Sequence, residues 1–440
     1  MSLVRLAPGK PPIYAAAMFL LANFVLVHVV LILALRTPVD DTGLRPIAWF
    51  FEGRQGRDSW DSLALGYLHA TMLRHAARPL YWHSFFSPQI LHKGFQYPPT
   101  ALLAVSALDA VLGARWHLAL GWITWAMIPL TAVSLWRLYE ELAARAGLPI
   151  GPRPLVALTA VFATLTFYPV MRAYANGQIQ AWLNAAFAVA VLGWATERPR
   201  VAGASIALAC AVKPQLGLLV AWGALRRQWR FLIAWSAVTG ALLLASIALY
   251  GWPPHVDYLR VLRFLAERGE TFYPNQSVNG LLNRWLGNGD VLSWHGSWIA
   301  HFPPYDPRVF WATAATSAAL VAIGLAGPRS GRGGLIDFCL MGLIATMASP
   351  IAWEHHYGVL LPIFTVAFAS LARAHAPRKW WVALAACYAL TGNCFWVTKR
   401  LAGSRFGVLE SYLFFGAVML LILLLKLPTL SARPVPTEQR

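Results

Sequence analysis

Charge is scarce in this chain. Only 12% of its 440 residues are Asp, Glu, Lys or Arg, about half the ~25% that a soluble domain carries. That excludes a water-soluble globule. Acidic residues are the scarcer sign, 18 against 36 Lys and Arg, for a formal net charge of +18. Such an excess can mark a nucleic-acid partner, but that reading needs a basic patch on a soluble face, and no soluble domain is visible here. Cysteine is also sparse. Cys210, Cys339, Cys387 and Cys394 all fall in apolar segments without zinc or disulfide-framework spacing, so they read as small buried hydrophobes. A Gly-rich phosphate loop and the His-Glu-x-x-His pattern of a metal helix are both missing.

Apolar sequence is what the chain has in abundance. It is 58% hydrophobic, with a mean hydropathy of +0.53. Its runs approach the ~20 residues needed to cross ~30 Å of hydrocarbon. In lipid the backbone of such runs must satisfy itself, which makes them helices. The expectation is an all-α polytopic membrane protein, a single domain over 1–440. About twelve crossings are placed at 12–36, 116–138, 154–171, 180–196, 200–212, 214–226, 230–250, 308–326, 334–347, 357–373, 379–397 and 407–427. The first lacks a small-residue cleavage site and reads as an uncleaved anchor.

The short connections that hold Arg137, Arg145 and Arg153, Arg198 and Arg200, Arg226, Arg227 and Arg230, Arg329 and Arg332, and Arg373, Arg378 and Lys379 are basic. The positive-inside rule puts them, and both termini, in the cytoplasm. Counting the apolar stretch 97–113 as a full crossing would break that parity. It is therefore read as a half-helix that returns near Gly113, an element tolerated where protein or a cavity covers its ends. The runs 200–212 and 214–226 meet at Lys213-Pro214. Proline breaks a helix, and a lysine there faces a polar cavity in preference to hydrocarbon. Two long segments, 37–96 and 251–307, remain as outer-face loops rich in Trp, Tyr, Pro and His. The stretch Trp60–Arg74 is amphipathic and is expected to lie on the bilayer surface. Residues 428–440 read as a disordered cytoplasmic tail.

Five constellations have the residue types for chemistry. Asp58 and Asp61 in Arg57-Asp58-Ser59-Trp60-Asp61 offer a carboxylate to take a proton from an attacking hydroxyl. The bland alternative is a solvated loop, as for Asp40 and Asp41. In Phe95-Gln96-Tyr97-Pro98-Pro99 the prolines start a helix, and Tyr97 is a candidate cavity residue. Arg172 and Lys213 suit a phosphate, while the amides of Asn176, Gln178 and Gln180 suit sugar hydroxyls. Asn275 and Gln276 precede Ser277, an N-cap candidate. Glu354, His355 and His356 end the series. Hydrogen bonding to a phosphate or sugar is favoured there over metal binding. No metal is assigned, with a divalent ion as the less favoured alternative.

Together these segments resemble glycosyltransferase family 87, integral-membrane mannosyltransferases, from the first crossing to about residue 365. The pieces that carry the likeness are Tyr97-Pro98-Pro99, Gly177-Gln178, Arg198-Pro199-Arg200-Val201-Ala202-Gly203, Ala211-Val212-Lys213-Pro214, Arg226-Arg227-Gln228-Trp229-Arg230, Asn275-Gln276-Ser277 and Ser349-Pro350 with His355-His356. The resemblance implies a GT-C-type bundle and a polyprenyl-phosphate sugar donor, commonly mannose. It places the reaction on the outer face and a catalytic Asp in the first outer loop, where Asp58 and Asp61 match. Where family members often carry Asn soon after Gly-Gln, this chain has Gln180.

The expected reaction is inverting transfer to an acceptor hydroxyl on a glycan, glycolipid or glycoprotein. Asp58 or Asp61 is the base, and Lys213, Arg172, His355 and His356 meet the leaving lipid phosphate. Tyr97, Asn176, Gln178, Gln180, Asn275, Gln276 and Glu354 contact substrate. The expected setting is a bacterial inner membrane, with membrane lipids and no nucleic acid as partners. The alternatives are another polyprenyl-phosphate sugar transferase, such as an arabinosyltransferase, a lipid-linked glycan ligase, or a non-enzymatic lipid or sugar transporter.

Overall fold

In the computed structural model, residues 11–72, 80–91, 93–293, 297–327 and 332–431 are described. Among them every regular element is helical, and the one β pairing is an antiparallel bridge between Asn275 and Trp353. Among the described residues six helices are long and apolar enough to cross a membrane: Ile13–Ala34, Pro99–Arg145, Trp229–Tyr250, Pro307–Ala326, Glu354–Arg373 and Gly407–Leu427. The chain is a membrane-embedded protein.

A seventh candidate is a broken span. Helices Arg153–Thr166 and Tyr168–Ala175 meet at a 62° bend. The cause is local: Phe167 is extended, and Pro169 opens the second half without an N–H to give. The Tyr168 N–H leaves the helix ladder and donates to the Gly392 carbonyl at 2.9 Å.

The other five expected crossings are helices too, but shorter ones: Gln180–Ala195, Pro199–Cys210, Pro214–Leu225, Leu335–Met347 and Arg378–Thr391. The longest has 16 residues, about 24 Å at ~1.5 Å per residue, less than the ~30 Å of hydrocarbon. Among the described residues twelve full-length crossings are therefore not found. Protein covers several of the short helices. Leu335–Met347 is buried at every residue from Asp337 onward, and Phe187, Trp194 and Trp222 stack edge and face around its Phe338. At one end Arg226 locks this group by donating to Asp337 at 2.8 Å.

The stretch read as a half-helix is Pro99–Ala101 followed by helix Leu102–Leu112. It breaks at Gly113, where φ is 55°, before the 30-residue helix Trp116–Arg145. The tail expectation is corrected in part. Helix Tyr412–Ser431 runs past residue 428, and residues 432–440 lie outside the described ones. Cys339, Cys387 and Cys394 are buried, Cys210 is half-buried, and none is in a disulfide.

The two long segments, 37–96 and 251–307, hold helices of their own, Asp58–Met72 and Leu80–Ser84 in the first, Pro253–Arg268 and Val278–Trp285 in the second. They share one apolar cluster, with Leu63, Phe85 and Phe95 meeting Val261, Trp298 and Phe302. Phe85 packs edge-on against Phe264, and Tyr81 lies against Tyr258. The helix Asp58–Met72 thus buries Trp60, Leu63, Gly66 and Ala70 against protein. Its other side leaves Leu68 and Met72 exposed.

Candidate active site

Two glycines allow the first long segment to dock on the turn that follows the bent helix. Gly177 has a φ of +59°, and a Cβ there would stand 1.9 Å from the Gly56 carbonyl oxygen. A Cβ on Gly56 would in turn stand 2.9 Å from the Asn176 oxygen. With neither present, the Gly56 N–H donates to the Ala175 carbonyl at 2.6 Å, Asp58 N–H to Asn176 at 3.0 Å and Ser59 N–H to Gly177 at 3.1 Å. A helix leaves its first N–H groups without internal partners. Here the opposing turn supplies them, and Asp58 is fixed in the same stroke.

A chain of side-chain bonds then orients the carboxylate. Ser59 Oγ accepts from the Ile179 N–H at 3.0 Å and meets the Tyr97 hydroxyl at 2.8 Å. It donates to Gln178 Oε1 at 2.8 Å, which turns Gln178 Nε2 toward Asp58 Oδ2 at 3.2 Å. Burial pushes the Tyr97 phenol up to about 12, so it stays protonated and serves as the donor to Ser59. Lys93 Nζ stands 3.7 Å from the same Asp58 oxygen.

Asp58, Lys93, Tyr97 and Gln178 line a cavity of ≈ 550 Å³. Lys213, His355 and His356 also line it, as do Glu270, Trp353, Tyr258 and Trp298. Lys213 occupies the extended residue before Pro214. Its ammonium donates to Gln180 Oε1 at 3.2 Å and to His356 Nε2 at 2.8 Å. An ammonium has three donors, so one remains for a ligand. Its surroundings lower the Lys213 pKa to about 7 through loss of hydration. His355 stacks edge-on with both Trp353 and His356. Among the described residues no three His, Cys, Asp or Glu side chains are grouped to hold a metal ion.

Several expected site residues lie elsewhere. Asp61 is one helical turn beyond Asp58, exposed, and paired with Arg57 at 3.1 Å. Arg172 does not line the cavity, because the bend at Phe167 directs it to Trp396, with its guanidinium 4.4 Å from the ring. Glu354 belongs to that second cluster, where it accepts from Tyr168, Trp396 and Tyr412, each at 3.2 Å. Asn176 contributes its carbonyl to the Asp58 backbone, and Gln180 stands behind Lys213. Asn275 and Gln276 are wholly buried and bond to backbone carbonyls of residues 270, 350, 273 and 410. Their short polar side chains are consumed in bracing loops. Ser277 caps Val278–Trp285 by accepting from Gly280 N–H at 3.1 Å.

Lys93 and Glu270 were not legible as site residues. Each is a single charge in an aromatic, glycine-containing loop, with no local pattern to raise it above its neighbours.

The chain belongs to glycosyltransferase family 87, whose family model matches residues 95–350. It is a glycosyltransferase, an enzyme that moves a sugar from a donor to an acceptor. The matched stretch takes in Tyr97, Gln178, Lys213 and Glu270, while Asp58 and Lys93 precede it and His355 and His356 follow it. Neither a search of curated proteins nor one of solved structures finds a match.

Proposed function

We propose that the enzyme transfers a sugar, mannose first among candidates, from a polyprenyl-phosphate donor to an acceptor hydroxyl, with inversion. The observation that supports this reading is the meeting of a carboxylate, Asp58, and a cation–imidazole pair, Lys213 and His356, on one cavity. In this reading Asp58 takes the acceptor O–H proton as the oxygen bonds to the anomeric carbon. The bond from that carbon to the phosphate oxygen breaks, and its electron pair leaves with the lipid phosphate. Lys213, with His355 and His356 beside it, stabilises the charge gathering there, which is usually the largest catalytic contribution. Tyr97 and Gln178 position Asp58 through Ser59. Asp61 and Arg172 have no place in the step.

The bundle is of GT-C type in this reading. The long segments 37–96 and 251–307 face outward, so the lipid donor enters from the outer leaflet of a bacterial inner membrane. The acceptor is a glycan, glycolipid or glycoprotein. The test is turnover of the purified protein in nanodiscs, with a panel of polyprenyl-phosphate sugars that includes mannose and arabinose donors and a set of hydroxyl acceptors. Inverted product from the mannose donor supports the proposal. Product from arabinose alone reassigns the sugar. Product from nucleotide sugars with none from lipid donors overturns the reading.

A further inference from the structure

The buried Asn275–Gly280 stretch does not reach the cavity, yet it grips a residue that does. Gly269 has a φ of +62°, and a Cβ there would stand 1.8 Å from Asn279 Oδ1, so that amide lies directly on the backbone. Asn279 Oδ1 accepts the Glu270 N–H at 3.0 Å, and Asn275 Nδ2 donates to the Glu270 carbonyl at 2.8 Å. Both asparagines are anchored in turn. Asn283 donates to Asn279 at 2.8 Å, while Asn275 accepts from Ala352 N–H at 2.9 Å and donates to Pro350 at 3.1 Å. Glu270 is held on both sides of its backbone, and its side chain lines the cavity.

The carboxyl itself accepts a hydrogen bond from the Trp353 indole N–H. Lys93 stands 5.5 Å from the Trp353 ring centre and 3.7 Å from Asp58, and its charge also acts on Glu270. A carboxyl buried to this degree is costly, and a loop brace for Trp353 needs only a neutral acceptor. Burial raises the Glu270 pKa to about 8. Near neutral pH it is therefore largely protonated, able both to donate and to accept, the capability that a sugar hydroxyl requires of its partner.

We infer that Glu270 is the specificity-determining residue of this cavity, reading one hydroxyl of the sugar bound beside Trp353, with Asn275 and Asn279 as its positioning residues. The inference rests on the proposed sugar transfer and adds the group that selects among sugars.

The test compares polyprenyl-phosphate mannose with its 2-, 3-, 4- and 6-deoxy analogues, and the acceptor with its own deoxy series. For the wild type, loss of one particular hydroxyl is expected to lower kcat/KM about tenfold or more. In Glu270→Ala that penalty should shrink to the level of the other positions. Glu270→Met keeps the side-chain volume while removing both the donor and the acceptor offered to the sugar. It should also shrink the penalty, and its retained volume covers the case in which the alanine variant fails to fold. A merely structural Glu270 would lower activity on all analogues alike, and an unchanged pattern of penalties in both variants overturns the inference. Wild-type inactivity on every lipid donor would instead be failure of the proposed function. Glu270 is then judged by saturation-transfer NMR with methyl α-mannopyranoside on the same nanodiscs. Signal in the wild type that is lost in Glu270→Met supports it. Equal signal in both, or none in either, overturns it.

Discussion

Asp58→Asn and Asp61→Asn separate the two acidic residues that the sequence leaves equivalent. Asp58 faces the cavity with an amide donor at 3.2 Å and an ammonium at 3.7 Å. Asn is nearly the same shape and can keep its oxygen toward Gln178, so the local fold should survive. What it cannot do is take the acceptor proton. A positioned base contributes roughly 10²–10⁴-fold, about 2.7–5.5 kcal/mol of barrier, so kcat should fall by that factor while donor KM stays within about threefold. Asp61 and Arg57 are 56% and 60% exposed, and an exposed pair of this kind contributes about 0–1 kcal/mol. Asp61→Asn should therefore keep activity within about twofold of the wild type. Steady-state turnover in nanodiscs, with thermal unfolding as the control, reads both. Near-normal turnover in Asp58→Asn, or an equal collapse in Asp61→Asn, refutes the assignment of the base.

Gly177→Ala puts a Cβ 1.9 Å from a backbone oxygen at a φ of +59°. It should lower stability by about 1–3 kcal/mol and, by displacing Asp58, cut turnover about 10²-fold; a fully active variant with normal Tm would count against the docking of Gly56 on this turn. Lys213→Ala should weaken donor use by about 1.5–3 kcal/mol, read from the dependence of rate on donor concentration. Because the Lys213 pKa is lowered to about 7, its charge is present below that pH and lost above it, so donor affinity should fall as pH rises through 7, approaching about tenfold per unit. Lys213→Arg stays charged and should flatten that limb; since Lys93, His355 and His356 share the cavity, the difference between the two profiles isolates Lys213. For topology, single cysteines at the exposed positions Glu52 and Leu292 should react with an impermeant thiol reagent on intact cells, and one at exposed Lys379 should not; the reverse pattern inverts the orientation.

Membrane embedding was legible in the sequence because it is a matter of composition, and hydrocarbon leaves the backbone few choices. The length of each helix was less so. Apolar runs such as 180–196 and 334–347 look alike whether lipid or neighbouring helices cover them, and only packing shows that they are short inner helices. Cavity residues were readable where a charge interrupted an apolar run, as Lys213 does, or where a short polar motif crowded the chain, as in Gly177-Gln178 and His355-His356. Amides misled for a physical reason. Asn275 and Gln276 have the chemistry of sugar ligands, but the same chemistry satisfies buried carbonyls, and in this fold the carbonyls take it. Arg172 misled through geometry, since the 62° bend at Phe167 is not visible in residue spacing.

The placement of Asp58 follows from these constraints. In the proposed reaction the carboxylate that receives the proton cannot sit on a loose interfacial loop, because a misplacement of about 1 Å costs as much as a lost group. Side-chain contacts alone would fix it weakly, since each hydrogen bond contributes only about 1 kcal/mol net. The chain instead fixes the backbone. Three consecutive carbonyls, at Ala175, Asn176 and Gly177, receive N–H groups from Gly56, Asp58 and Ser59, a rigid contact that two glycines alone permit. Those carbonyls stand at the end of the bent helix Tyr168–Ala175, and Gln180–Ala195, which follows the turn, carries Gln180 to Lys213. One turn at Asn176–Gly177 therefore sets the position of the carboxylate relative to the ammonium across the cavity. Glu270 is tied by its two asparagines to Pro350 and Ala352, beside the histidines. Loops distant in sequence are thereby held in register by hydrogen bonds to their backbones.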